Sequence, residues 1–559
     1  MTESNFKLST LPYKRITIES FEKEGKEILK EFKEAKSGEQ QFLAHKKYYE
    51  LTKKMATAMI LAQLRYDGDV TDKFYEEEQN YYDDISPKIT AFENEYKKEL
   101  FDTNFKGYLE NKIGKIAFKD IEFDLKSFDK SIIPLKQEEN KLISEYSKLL
   151  AEVSIDFEGE KLNLSLLEKY LTSKDRNVRI KATKARSMAL EKIKDNLDDI
   201  YDKMVKNRTE QAKKLGYKSY VELAYYSLRR TTYGIEDVRK FREEVKRYLV
   251  PFASKLHDER RKRLSLGKLD SVDEGVYYLE GNPAPIGTAD DIFKAGKKMY
   301  SELSPETKEF FDFMLDHELF DVLGRANKAG GGYMDMLYTY KAPIIFANFN
   351  GTSGDVDVIT HECGHAFQGF ITRNDEIMEH NDIKMETAET HSMSMEFFTE
   401  KWMDLFFGDR ADDYRKMHLE YAIAFIPYGC MVDEFQEIIY SNPELTKEER
   451  RQVWQNLESQ YKPHLKYEND DFLGEGRRWQ LQRHIYMSPF YYIDYCIAQT
   501  CALQFKIKMN ENYYDAWNKY LAFSMESAKD TFQNMLHNVG LDSPFDSGYM
   551  ENLISKLDK

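Results

Sequence analysis

The five residues His361-Glu362-Cys363-Gly364-His365 have the types and spacing for metal-assisted hydrolysis. On a helix, residues four apart share a face, so two imidazoles can grip one ion while Glu362 stands beside an open coordination position as a general base. Cys363, Ala366, Phe367 and Phe370 recur at the spacing of a buried helical stripe, and both histidines lie off that stripe. Two core histidines would each need hydrogen-bond partners of their own, a costlier arrangement than a shared metal.

A catalytic zinc takes three protein ligands and leaves a fourth position for water. Glu386, Glu389, His380 and His391 are the nearby candidates for the third ligand. One class of zinc peptidase needs Gly three and His six residues after the second histidine, but here those positions are Gln368 and Ile371. The glutamate spacings of two further classes fall on Met385 and Lys384. Glu389, Ser392 and Glu396 share one helical face, so one carboxylate can bind the metal while the other accepts the free N–H of a ligand histidine.

Other segments must position a substrate. Ala342-Pro343-Ile344-Ile345-Phe346-Ala347-Asn348-Phe349-Asn350 reads as a short strand, opened by Pro and closed by Asn-Gly. An exposed strand edge could pair with an extended peptide of any sequence. Gly330-Gly331-Gly332 lacks the following Gly-Lys-Ser/Thr of a phosphate loop and reads as closely approached backbone. His484 through Tyr495 offers imidazole and phenol donors for a developing oxyanion, although with 38 Tyr in the chain such a stripe is more often core.

Lys328-Ala329-Gly330-Gly331-Gly332-Tyr333, the run from Pro343 to Asp357 and His361 to Gln368 together resemble the M3 family of zinc oligopeptidases. Within it, the likeness is to the oligoendopeptidase F and Pz-peptidase branch. It continues in Glu389-x-x-Ser392-x-x-x-Glu396, in Val432-Asp433-Glu434-Phe435-Gln436 and in the tyrosine-rich run after His484, and more weakly in Ser173 to Arg179. The resemblance implies one Zn²⁺ per chain on His361, His365 and Glu389, with Glu362 as general base and Glu396 supporting a ligand histidine. It implies transition-state and substrate contacts from His484, Tyr492 and Tyr495, and a substrate-binding strand and loop at Ala347, Asn348, Phe349 and Gly330 to Gly332. Which of Tyr491, Tyr492, Tyr495 and His484 stabilises the oxyanion stays open.

Length and composition frame the rest. The 559 residues hold repeated Lys/Glu-rich amphipathic segments, such as Phe21–Phe32, Leu190–Leu215 and Ala411–Ala424, which predict a mainly helical protein. Ser304-Pro305-Glu306 and Thr446-Lys447-Glu448-Glu449 are helix-start signals. A soft boundary near residue 195 divides an N-terminal helical region (1–195), forming one channel wall, from the zinc region (196–559). The resemblance implies two helical halves enclosing a deep channel, with a small β-sheet beside the HExxH helix, and hence short unstructured peptides as substrates.

A net charge of −16 argues against nucleic acid, and the one dense basic cluster, Arg260-Arg261-Lys262-Arg263, reads as a solvated helix face. No leader pattern or membrane span is visible, and four cysteines without metal-binding spacing fit reduced thiols, so a cytoplasmic protein is expected. The leading expectation is a zinc endopeptidase. The alternatives are a zinc exopeptidase and an inactive peptide-binding protein, and the intact His361, Glu362, His365 and Glu389 set argues against the second.

Overall fold

The computed structural model describes residues 6–558. Helices dominate, and the expected start signals operate: Ser304 accepts from Thr307 N with Pro305 in the first turn, and Thr446 and Glu449 cap one another reciprocally. Ile18–Glu34 buries Phe21, Ile28, Leu29 and Phe32 along one stripe. The amphipathic segment expected over Leu190–Leu215 is divided between two helices, Arg176–Glu191 and Lys194–Lys214.

The site depends on a small set of elements. These are α1 (Gly38–Gly68) and, after a separate hairpin of β1 (Ile155–Phe157) and β2 (Glu160–Leu162), β3 (Phe320–Leu323), β4 (Tyr333–Leu337) and β5 (Ala342–Phe349). They are followed by α2 (Gly354–Thr372), α3 (Met385–Thr399), α4 (Ala411–Ser441) and α5 (Tyr492–Glu511). The N-terminal helices close a core of their own around Phe32, Tyr48, Phe92 and Tyr96. One end of α1 belongs to that core, while its Leu61 and Leu64 enter the larger core of the rest of the chain. At 31 residues α1 is about 46 Å long, and it reaches past β4, so it walls one side of a channel.

β3, β4 and β5 form one sheet in the order β3-β5-β4, with β5 parallel to β3 and antiparallel to β4. The expectation that Ala342–Asn350 would expose an edge is therefore corrected, because β5 is the central strand. Its residues from Ala342 to Ala347 are all buried, and an unbroken apolar run is what a strand covered on both faces and paired on both edges requires. The edges are β3 and β4, and in β4 residues Tyr333 to Met336 are only half-buried.

β5 leads directly into α2, which carries the HExxH residues. Ala366, Phe367 and Cys363 are fully buried and Phe370 nearly so, each phenylalanine contributing about 1.5–3 kcal/mol. α2 crosses α3 at Gly364, where a Cβ would come 2.6 Å from Ser392 Cα and 2.9 Å from His391 O. Both obstacles are backbone and cannot swing aside. Gly364→Ala should cost about 1–3 kcal/mol, read as a lowered thermal midpoint of the metal-free protein; an unchanged midpoint would refute this close crossing.

Candidate metal centre

α2 projects His361 and His365 to the same side, their rings 5.1 Å apart and nearly perpendicular. α3 presents Glu389 to both: its Oε2 lies 3.3 Å from His361 Nε2 and 3.3 Å from His365 Nε2. The three ligand atoms lie within 4.8 Å of one another. Tetrahedral zinc with bonds of about 2.0–2.1 Å separates its ligands by about 3.3 Å, the separation at which Glu389 stands from each histidine, so the donor set suits that ion. Among the described residues, no other group of His, Cys, Asp and Glu is arranged to hold a metal.

The ligands are themselves held. His361 Nδ1 donates to Glu396 Oε1 at 2.6 Å, which aims Nε2 at the metal position. Glu389 is 2 % exposed. It accepts from Ser392 Oγ at 3.0 Å on one oxygen and from the Tyr491 hydroxyl on the other. The helical face read from Glu389, Ser392 and Glu396 thus converges on one centre. The line of contacts runs further, since Glu396 Oε2 meets His418 Nε2 of α4 at 2.6 Å. His418 had no signal in the sequence, being a lone histidine on a long helix.

Burial opposes charge throughout this cluster, and the close pairs outweigh it. Hydrogen bonds from His361 and His418 bring the Glu396 carboxyl down to about 2 despite its burial, and Glu396 with Glu400 raises His418 to about 10. Glu389 and Glu396 likewise hold the His361 imidazole well above its ordinary value against the effect of burial. A metal needs the neutral ring, so zinc uptake should release protons and weaken as pH falls. Calorimetry in two buffers of different ionisation enthalpy checks this; a buffer-independent heat at neutral pH would contradict it. Glu396→Gln should weaken metal affinity by about 10–100-fold, measured by competition with a chelator, and an unchanged affinity would refute the supporting role.

Glu362 faces the channel beside Gly332, where an added Cβ would lie 3.3 Å from Glu362 Oε1. Burial pushes its carboxyl up, partly offset by His361 and His365. Gly330, Gly331 and Gly332 line the same cavity, of about 860 Å³, with His361, His365 and Glu389. Gly331 has φ +93°, a backbone state that side-chain-bearing residues rarely adopt. Ala347 and Asn348 are instead occupied in holding this loop. Asn348 Nδ2 donates to the carbonyls of Ala329 and Gly331, and Ala347 O accepts from buried Lys328 Nζ at 2.5 Å. Phe349 is buried at the end of β5.

The opposite wall is the start of α5 and the turn before it. Tyr428 donates to Gln482 Oε1 at 2.8 Å, and Gln482 Nε2 then donates to His484 Nδ1 at 2.9 Å. The His484 proton therefore sits on Nε2, which contacts the Tyr495 hydroxyl at 3.3 Å. Burial lowers His484 to about 4, so the ring is neutral at physiological pH. Tyr491 and Tyr495, four apart, share the face that lines the metal cavity. Tyr492 is turned to the next chamber, its ring against Phe425 and Tyr428, while still 4.9 Å from His484.

The remaining candidates lie elsewhere. His391 is fully buried against Phe523, neither ring nitrogen has a hydrogen-bond partner among the described residues, and burial lowers it to about 3. His380 bonds Asp375 at 3.0 Å. Glu386, buried beside Asp494, is raised to about 8. The four cysteines are buried and unpaired, and no helix among the described residues is long and apolar enough to cross a membrane.

Comparison with known proteins bears on this arrangement. Residues 8–128 match the peptidase M3 N-terminal domain and residues 306–549 match peptidase family M3. An X-ray structure described provisionally as oligoendopeptidase F superposes with a TM-score of 0.98 at 42 % identity, covering 99 % of this chain and 98 % of that one. PZ peptidase A with an inhibitor gives 0.97 at 43 %, with coverage of 99 % and 98 %. A provisional oligoendopeptidase F from Bacillus anthracis str. Ames gives 0.93 at 41 %, with the same coverage. No curated protein sequence matches significantly. The helical channel, the HExxH helix and these matches define a metallopeptidase. The chain belongs to peptidase family M3, and its likeness is to oligoendopeptidase F.

Proposed function

We propose that the protein is a zinc endopeptidase that cuts internal bonds of short unstructured peptides, with His361, His365 and Glu389 as the ligands of one ion. The observation that carries this reading is the pair of 3.3 Å separations at Glu389 Oε2, beside Glu362 and inside a channel. Bound there, zinc would supply Lewis acidity, polarising the scissile carbonyl and acidifying the attacking water. Glu362 takes the proton of that water and passes it to the leaving amine. Glu396 and the Ser392–Tyr491 pair keep His361 and Glu389 in place while this happens.

The neutral His484, with its proton on Nε2, and the Tyr495 hydroxyl beside it are the donors best placed for the developing oxyanion. The Tyr491 hydroxyl is committed to Glu389, and Tyr492 lines the onward passage. β4 supplies the free strand edge on which an extended peptide can lie, since its Tyr333 to Met336 border the metal cavity. Gly332 lets that peptide backbone approach Glu362. Four unpaired, buried cysteines fit a reducing compartment such as the cytoplasm.

Digestion of doubly blocked peptides of graded length, read by mass spectrometry, tests the substrate class. Internal cuts confined to short peptides are expected. Cuts that require a free terminus would establish an exopeptidase instead, and efficient cleavage of folded proteins would overturn the size limit.

A further inference from the structure

A second chamber of about 770 Å³ opens beyond the metal cavity, reached by a passage of about 360 Å³ that is lined by His361, Glu362, His484 and Tyr492. Its lining includes Arg260, Lys462 and Arg478. Arg260 comes from the basic cluster expected to be a solvated face, yet it is 2 % exposed. Its Nη1 donates to the Glu274 carbonyl at 2.9 Å and the guanidinium lies 4.8 Å from the Tyr277 ring, while Nε and Nη2 have no hydrogen-bond partner among the described residues. Lys462, 6 % exposed, and Arg478 both pair with the Glu274 carboxylate. The Glu274 carboxylate thus pairs with Lys462 and Arg478, while Arg260 beside them bonds only the Glu274 backbone carbonyl and forms no ion pair among the described residues. Unbalanced charge at a buried site is costly until an anion completes it.

We propose that this chamber binds a carboxylate of the peptide, either its free C-terminus or an acidic side chain, on Arg260, Lys462 and Arg478. The inference rests on the peptidase reading and assigns a subsite within the same channel. Burial, together with Arg478 and Arg260, also holds Lys462 well below the ordinary lysine range, a crowding of like charge that an anion would relieve. Aromatic rings connect the cluster to the reaction centre. Arg478 and Lys462 lie 5.3 and 5.4 Å from the Tyr428 ring, Tyr428 lies 6.0 Å from Tyr492, and Tyr492 lies 4.9 Å from His484. These contacts bound the separation of the cluster from His484 at about 16 Å, so the carboxylate would sit at most about five residues of extended peptide from the cut.

The test uses two peptide series on the zinc-loaded enzyme. One ends in a free acid or an amide three to six residues from the cleaved bond; the other carries Asp or Asn at those distances within amide-ended peptides. At the matching distance the charged member of at least one series should have a KM about tenfold lower than its neutral partner. That ratio should fall toward one in both Lys462→Met and Arg478→Gln. A merely structural role would alter both members alike and leave the ratio standing. An effect in the first series alone identifies the C-terminus as the ligand, and in the second alone an acidic side chain. A ratio near one throughout both wild-type series, or one that survives both substitutions, overturns the proposal. Cleavage of the neutral peptides in the same assay separates that outcome from a failure of the peptidase reading.

Discussion

Glu362→Gln should bind zinc as the wild type does and turn over peptides about 10²–10⁴-fold more slowly. The substitution keeps the size and shape of the side chain, so the close approach of Gly332 and the packing of α2 are undisturbed. His361, His365 and Glu389 keep their mutual separations, because Glu362 is not among the clustered ligand atoms. What disappears is the acceptor: a carboxamide cannot take a proton from water or return it to the leaving amine. The loss should fall on kcat, with metal content and KM little changed. Turnover like that of the wild type, at full metal occupancy, would remove Glu362 from the mechanism.

His365→Ala should have the other large effect, by a different route. One of three ligands is lost, and if each carries roughly a third of a binding free energy on the order of 10 kcal/mol, zinc affinity falls roughly 10²–10³-fold. Turnover at limiting zinc should fall with it. Outside the metal cluster His365 has few ties and borders the channel, so the metal-free variant should unfold at close to the wild-type midpoint. This separates His365 from Gly364, whose substitution acts on packing. A variant that retains stoichiometric zinc at wild-type affinity would show that the ion is held elsewhere.

Parts of the molecule that follow from local pattern were legible in the sequence. The α2 stripe of Cys363, Ala366, Phe367 and Phe370, the caps at Ser304 and Thr446, and the α3 face of Glu389, Ser392 and Glu396 each repeat at helical spacing, so their neighbours in space are near in sequence. The convergence of α3 on α2 was not written there in the same way. It depends on a crossing that only Gly364 permits, and Gly364 reads locally as a poor helix former.

Strand position was misread for a related reason. The apolar run of β5 marks a strand, but only the pairing partners on both sides decide whether an edge is free, and those lie in β3 and β4. Spacing alone does not separate the tyrosines. Residues 491, 492 and 495 are all compatible with one side of a helix, and the orientation of the first turn of α5 decides that Tyr491 faces the metal cavity, Tyr492 the passage and Tyr495 both. His418 and Arg260 are harder still. A single histidine on α4 and one arginine in a basic run carry no pattern, and each acquires significance only from elements brought to it by the tertiary fold.

Stepwise addition of zinc to the chelated protein, with bound metal and peptide turnover recorded together, tests the central assignment most directly. Turnover should start near zero, rise in proportion to zinc bound, and stop rising at one ion per chain. Chelated protein that cuts peptides at the full rate, or turnover that remains absent when one ion per chain is bound at His361, His365 and Glu389, would contradict it.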